Sequence, residues 1–171
     1  MKKLVLAAAL ALSLVFVLGG CGSQEDESYI SLYSFGGSSE SLSLSGGVMM
    51  TGSQGDLFSG GDIEIPEGLL PEGASFSYRF FYISGGEEHD ILSQDLSRSS
   101  GSPAVLSTSL GAVSSNSPNF GPFHEAGGKG LPQDLLSGLY FEIAVSDNLG
   151  EKSLYSLKLD VKELFSAGLD G

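Results

Sequence analysis

Cysteine and tryptophan are nearly absent from this chain. Its 171 residues include one cysteine and no tryptophan. A single thiol cannot close a disulfide within the chain, so packing and hydrogen bonds must stabilise the fold. The large side chains left to fill an interior are the 10 phenylalanines and 6 tyrosines. We therefore expect these aromatic residues to dominate the core.

Basic residues are also scarce. Eight lysines and arginines stand against 21 aspartates and glutamates, which gives a formal net charge of -13. Nucleic-acid binding needs cationic side chains at the phosphates, so this composition argues against that class. The same negative charge disfavours binding to anionic lipid headgroups. Acidity of this kind is typical of a soluble surface that is repelled by an anionic envelope, and the alternative is attraction of a basic partner or of divalent cations.

Several common catalytic motifs are missing. The sequence has no Gly-x-Ser-x-Gly elbow, no His-Glu-x-x-His, no Gly-x-x-x-x-Gly-Lys-Ser/Thr and no Gly-x-Gly-x-x-Gly. These absences remove the usual hydrolase and nucleotide-binding interpretations, although an enzyme of another type stays open. No cofactor is predicted.

The N-terminus has the pattern of an export signal. Met1-Lys2-Lys3 is a short cationic start, and the following residues 4–18 are apolar except for one serine. Fifteen residues fall short of the roughly 20 that a helix needs to cross the hydrocarbon core. A removed signal peptide is therefore favoured over a retained membrane anchor.

The signal ends in Leu18-Gly19-Gly20-Cys21, and this stretch resembles a bacterial lipobox. The resemblance implies cleavage between Gly20 and Cys21 and a diacylglycerol on the Cys21 sulfur. Two or three acyl chains make a durable tether, because each buried methylene contributes about 0.8 kcal/mol. The protein would then be lipid-anchored in the cell membrane or outer membrane, facing the periplasm or the exterior. The alternative is an ordinary secretory signal that leaves Cys21 as an incidental thiol.

The rest of the chain divides into a tether and one domain. Residues 22–28 are polar and acidic, so we expect 21–28 to be a lipidated tether and 29–171 to be folded. Residues 29–35, 41–50, 62–65 and 104–110 alternate apolar and polar side chains, as half-buried strands do. The Gly46-Gly47 pair indicates a bulge or bend in the second of these runs. Residues 51–62 look too glycine-rich for a regular element, and 111–132 is predicted to be a long loop.

The most aromatic stretch begins at Ala74. One face of the predicted strand carries Phe76, Tyr78, Phe80 and Tyr82, and the other face is also largely apolar, which indicates a central strand. Core packing is favoured over a carbohydrate or peptide platform for this aromatic row.

The alternating apolar residues in the last third of the sequence predict a β-hairpin over 138–161, with a turn at 146–151. Its pattern resembles the final strands of an immunoglobulin-like or polycystic-kidney-disease-like sandwich, in which Tyr140 matches the tyrosine corner. Residues 162–167 could add a short helical turn. We predict a single all-β domain, an antiparallel Ig-like β-sandwich of about 7–8 strands. The alternatives are a small jelly roll or an open barrel.

Two loops hold the candidate ligand-binding residues. The first is a predicted hairpin tip with Glu87, Glu88, His89 and Asp90, and the second contains Phe120, Phe123, His124 and Glu125. If the loops met, His89 and His124 with nearby carboxylates could bind a zinc ion, but two solvated histidines are the favoured interpretation and no metal site is predicted.

The function that fits these features best is a membrane-anchored lipoprotein whose non-catalytic domain binds a protein or ligand partner in the envelope or outside the cell. The alternative is an envelope enzyme, or an accessory subunit of one, that uses loop carboxylates such as Glu125 or Asp134. Oligomeric state is left open.

Overall fold

The computed structural model describes residues 28–66, 69, 74–97, 106–114, 120, 123, 130–147 and 149–169. This part of the chain is all-β, with one short helix. The elements are β1 Ser28–Ser38, β2 Ser43–Gly52, β3 Leu57–Ser59, β4 Asp62–Ile65, β5 Ser75–Ser84, β6 Glu87–Ser97, β7 Leu106–Ser109, β8 Ala112–Ser114, α1 Gln133–Gly138, β9 Leu139–Ser146 and β10 Lys152–Leu169.

The strands form one antiparallel sheet that the long strand β10 divides into two halves. Residues 152–159 of β10 pair with β9, which pairs with β5, which in turn pairs with β6. We call these strands the β5 half. Residues 160–169 of β10 pair with β1, and β2 follows, with β3 and β8 beside one part of it and β4 and β7 beside another. We call these strands the β1 half.

The inner faces of the two halves meet in an aromatic core. The Phe80 ring of β5 lies 4.9 Å from Phe58 of β3 and 5.8 Å from Phe35 of β1. On its own half of the sheet it lies 5.0 Å from Phe141 of β9. Each of these four rings is less than 5% exposed. The expectation that phenylalanine and tyrosine fill the interior is confirmed, and so is the core role of the aromatic row on β5.

Alternation explains why β9 forms where it does. Leu139, Phe141, Ile143 and Val145 are all buried, while the residues between them are half-buried. This period of two suits a strand with one face on the core. The predicted hairpin is confirmed, because β9 pairs with the first part of β10. In the turn, Asp147 Oδ1 accepts hydrogen bonds from the Leu149 and Glu151 amides, each at 2.8 Å.

The prediction of an all-β antiparallel domain is confirmed. The pairing is continuous from β6 through β10 to β8, which is compatible with the open-barrel alternative. The described residues contain ten strands, so the number is above the predicted 7–8. The bulge at Gly46-Gly47 is also confirmed: the β1–β2 register shifts there, and Gly46 has a φ of 70° that favours glycine.

Four local predictions were wrong. The predicted long loop at 111–132 contains β8, because β3 supplies a partner strand for Ala112–Ser114. The glycine-rich stretch 51–62 contains β3, which is held between β2 and β8. Residues 162–167 are not helical but continue β10, because β1 supplies a partner strand along their length. Glu87 to Asp90 are not a hairpin tip: the turn is only Gly85-Gly86, and β6 begins at Glu87. Both glycines have positive φ, as a two-residue type I′ turn requires.

The helix α1 was not predicted. Its six residues are too few to show a helical period in the sequence. Leu135 is fully buried and attaches the helix to the core. The helix packs near the end of β5, where Ser84 Oγ donates a hydrogen bond of 2.7 Å to Asp134 Oδ2.

Candidate functional site

The outer face of the β5 half carries a cluster of charges centred on Arg79. This residue lies in the middle of β5, between the buried side chains of Tyr78 and Phe80. Because side chains alternate along a strand, Arg79 must point to the face opposite those two rings. Its partners on that face come from the neighbouring strands β6 and β9.

Three carboxylates surround the Arg79 guanidinium. Its Nε donates to Glu142 Oε1 at 2.9 Å, and its Nη1 lies 2.8 Å from Glu88 Oε2 and 3.3 Å from Asp90 Oδ1. The pKa of Arg79 is raised, first by the hydrogen bond to Glu142, against an opposing effect of burial. Three negative charges against one positive charge leave this cluster formally anionic.

Aromatic side chains form the base of the cluster. The Arg79 guanidinium carbon lies 4.2 Å from the centre of the Phe81 ring, in a cation–π contact. Phe81 in turn stacks on Tyr140 of β9, with ring centres 5.4 Å apart. Ile83, two residues further along β5, is 42% exposed. The face therefore combines carboxylates with an accessible apolar side chain.

A depression of about 190 Å³ lies next to the cluster. It is lined by Ser77, Tyr78, Arg79, Ser93, Glu142 and Ala144. The hydroxyl groups and the Arg79–Glu142 ion pair of this lining can form hydrogen bonds with a bound molecule. We call the outer surface formed by Arg79, Phe81, Ile83, Glu88 and Asp90 the Arg79 face.

The pairing of β5 with β6 separates the four candidate residues of the first loop. Glu88 and Asp90 lie opposite Ile83 and Phe81, on the Arg79 face. Glu87 and His89 lie on the other face of the strand. Two of the four residues that the sequence singled out therefore meet Arg79, and the other two do not.

His89 has an aromatic neighbour. Its ring stacks on Tyr82 with centres 5.0 Å apart. The pKa of Tyr82 is raised, first by burial and then by the charge of Asp134. Asp134 itself accepts the hydrogen bond from Ser84. Among the described residues, His89 therefore contacts the Tyr82 ring and does not belong to a group of side chains placed to bind a metal ion.

The second candidate loop is described only at Phe120 and Phe123. Phe123 is 1% exposed, its ring lies 6.2 Å from Phe58, and its amide donates a hydrogen bond of 3.3 Å to Asp56 Oδ2. Phe120 packs edge-on against Phe123 at 4.9 Å. His124 and Glu125 lie outside the described residues, so the interpretation of His124 as a solvated loop histidine stays a prediction.

Gly20, Cys21 and the rest of the lipobox also lie outside the described residues. Lipidation and cleavage there stay predictions. In the part of the chain that the structure describes, no helix is long and apolar enough to span a membrane, and no group of three or more His, Cys, Asp or Glu side chains is placed to hold a metal ion.

Sequence reasoning missed Arg79 and Glu142 as members of the cluster. A signal was present: Arg79 is the only lysine or arginine between residues 4 and 97, and it lies within an aromatic strand. A lone cation in such a strand needs carboxylate partners if it is partly buried. The sequence does not show which carboxylates these are, because Glu142 lies 63 residues away.

Comparison with protein-family models, with curated proteins and with solved structures finds no match to this chain.

Proposed function

We propose that this protein is a bacterial lipoprotein whose β domain binds a partner in the cell envelope without catalysis. The observation that carries the proposal is the lipobox-like Leu18-Gly19-Gly20-Cys21 at the end of an apolar run. The fold supports it, because β1 already begins at Ser28. Only residues 22–27 then separate the acylated cysteine from an all-β domain.

Replacement of the cysteine tests the anchor. A Cys21→Ser protein expressed in a bacterial host should lose membrane association, or remain unprocessed, because it has no sulfur to acylate. The matched control is Ser23→Ala, which changes a small residue two positions later and should behave as wild type. Cell fractionation and intact-mass measurement provide the readouts. A Cys21→Ser protein that is still membrane-bound and cleaved after Gly20 would contradict the proposal.

The Arg79 face is the surface that we assign to the partner. Its carboxylates exceed its cations, which suits a basic partner and would accelerate association. Ile83 supplies an apolar contact beside them, and a few well-packed, desolvated side chains commonly provide most of the binding free energy at an interface. We therefore propose a protein partner that presents basic and apolar groups together.

Site-specific photo-crosslinking tests this assignment. A photoreactive residue in place of Ile83 should give one defined adduct in living cells, and the yield should fall several-fold when Glu88 and Asp90 are both changed to lysine. The control probe replaces Leu149, which is 84% exposed in the β9–β10 turn. The assignment fails if the Leu149 probe gives the same adduct, or if charge reversal leaves the yield unchanged.

A further inference from the structure

The outer face of the β1 half carries an apolar row that crosses four strands. Leu32 of β1 lies directly opposite Phe165 of β10 on one side and Met50 of β2 on the other. Met50 lies opposite Leu57 of β3. Side chains at directly paired positions share a face, with Cβ atoms about 4.5–5.5 Å apart. The four side chains therefore form one contiguous row.

Two more residues enlarge this row. Ile30 lies on the same face of β1, two positions before Leu32. Leu164 is the extra residue where the β1–β10 register shifts, and it is 59% exposed, while Phe165 is 52% exposed. We call the surface formed by Ile30, Leu32, Met50, Leu57, Leu164 and Phe165 the Leu32 face.

An apolar outer face is unexpected in this architecture. An antiparallel sheet with one face on the core normally places polar side chains on the other face. The inner face of the same strands is already satisfied, since Tyr33 and Phe35 are buried in the core. On the Leu32 face, Leu164 and Phe165 are exposed, whereas Ile30, Leu32, Met50 and Leu57 are half-buried. Contiguous accessible apolar surface marks a contact with another molecule or with a membrane.

No carboxylate of the described residues lies on the Leu32 face, although the chain contains 21 acidic residues. Among the described residues, those on the outer side of the β1 half lie at its opposite end: Asp62, Glu64 and Asp160. Glu163 is next to Leu164 in sequence, but it pairs with Tyr33, whose side chain points inward. Among the described residues, the outer face of this half is thus polarised along its strands, with the apolar row at one end and the acids at the other.

The apolar end is also the end at which the chain joins its N-terminal segment. Ile30 is two residues after Ser28, the first residue of β1. Residues 21–27 reach at most about 24 Å when fully extended. An anchor at Cys21 would therefore hold this end of the domain at the bilayer surface. Lys162 lies opposite Ser34, beside the apolar row, where its ammonium group suits a headgroup phosphate.

We infer that the Leu32 face lies against the lipid surface to which Cys21 is attached, with its apolar side chains at the boundary of headgroups and acyl chains. The inference rests on the proposed lipid anchor. It adds a second membrane contact made by the folded domain, which would fix the orientation of the domain on the bilayer.

The absence of tryptophan makes a direct test simple. The protein carrying Phe165→Trp is expressed with its own N-terminal segment in a bacterial host, purified, and reconstituted into phosphatidylcholine vesicles, with or without bromine atoms on the acyl chains near the headgroup. The matched control carries Leu154→Trp, because Leu154 is 63% exposed but lies on the β5 half. We expect blue-shifted emission and several-fold quenching by brominated lipid for Phe165→Trp, and neither effect for Leu154→Trp.

The possible outcomes separate the two proposals. If both proteins float with the vesicles and neither is quenched, the anchor stands and the Leu32 face is not a membrane contact. Equal quenching of both proteins would also overturn the inference, because it would show no preferred orientation. Failure to float would overturn the anchor together with the inference. Emission that shifts to the blue with protein concentration in the absence of vesicles would mean that a second copy covers the face.

Discussion

The aromatic core makes a quantitative prediction at Phe80. This ring is fully buried, and four other rings have centres within 6.3 Å of it: Phe35, Phe58, Tyr78 and Phe141. These neighbours come from four different strands, two in each half of the sheet. Phe80 thus contacts rings of both halves of the sheet at the centre of the core.

Phe80→Ala should lower the free energy of unfolding by about 4 kcal/mol. Removal of a buried phenylalanine ring costs about 3–5 kcal/mol, which includes the lost transfer free energy and the cavity that remains. The cost should not fall at the lower end of that range, because rings attached to four paired strands cannot all move inward to fill the space. That range already contains the loss of the aromatic pairs, each of which is worth about 0.5–1.5 kcal/mol beyond the buried area.

Urea denaturation followed by far-UV circular dichroism measures this change. The control is Phe165→Ala, which removes the same side chain from a site that is 52% exposed and should cost about 1 kcal/mol or less in solution. Phe80→Leu retains most of the volume and should fall between the two, which keeps the comparison useful if Phe80→Ala fails to fold. Equal destabilisation by Phe80→Ala and Phe165→Ala would refute the assignment of the core.

Two further predictions concern residues near this core. Burial raises the pKa of Tyr78 from 10.0 to about 12, and its hydroxyl lies 2.8 Å from both Gln94 Oε1 and the Leu110 carbonyl oxygen. Between pH 10 and 12 the folded state keeps the Tyr78 hydroxyl proton, whereas the unfolded state has lost it, so the free energy of unfolding should fall by up to about 1.4 kcal/mol per pH unit. Tyr78→Phe should flatten this pH dependence when the free energy of unfolding is measured by urea titration. An unchanged slope would contradict the burial of the Tyr78 hydroxyl. Gly47→Ala should lower the free energy of unfolding by about 1–3 kcal/mol, because the new methyl group would overlap the Phe35 ring. Gly168→Ala meets nothing within 4 Å, so its midpoint temperature should stay near that of wild type, and equal losses for the two variants would argue against the packing at Gly47.

Local patterns were enough to predict the strands whose partners are close in sequence. Residues 139–146 alternate strictly, and their partner strand follows after a short turn, so pattern and pairing agree. The second half of β10 is different, because its partner strand β1 is more than 120 residues away in the sequence. Phe35, for example, pairs with Val161. The sequence of 162–167 does not indicate that partner. The fold class was therefore predictable, whereas the length of β10 and the division of the sheet into halves were not.

The same distinction applies to the Arg79 face. Glu88 and Asp90 were singled out from the sequence as polar residues near a turn, and this gave two of the three carboxylate partners. Their side chains meet Arg79 only because the β5–β6 register places them opposite Ile83 and Phe81. A shift of one residue would turn both carboxylates to the opposite face. Register is set by packing over the whole sheet, so the cluster could not be derived from the polar pattern alone.

The two proposed surfaces constrain each other. The inner faces of the two halves meet at Phe80, so their outer faces look away from each other across the core. If the Leu32 face rests on the bilayer, the Arg79 face must point away from it, into the aqueous phase. Its excess carboxylates then lie on the side of the domain that faces away from the bilayer, where an anionic bilayer repels them least. Ions of the medium screen their charge within about 10 Å. A partner that binds the Arg79 face should therefore approach from the aqueous side, and its binding should weaken as salt is raised, while the contact of the Leu32 face with zwitterionic lipid should not.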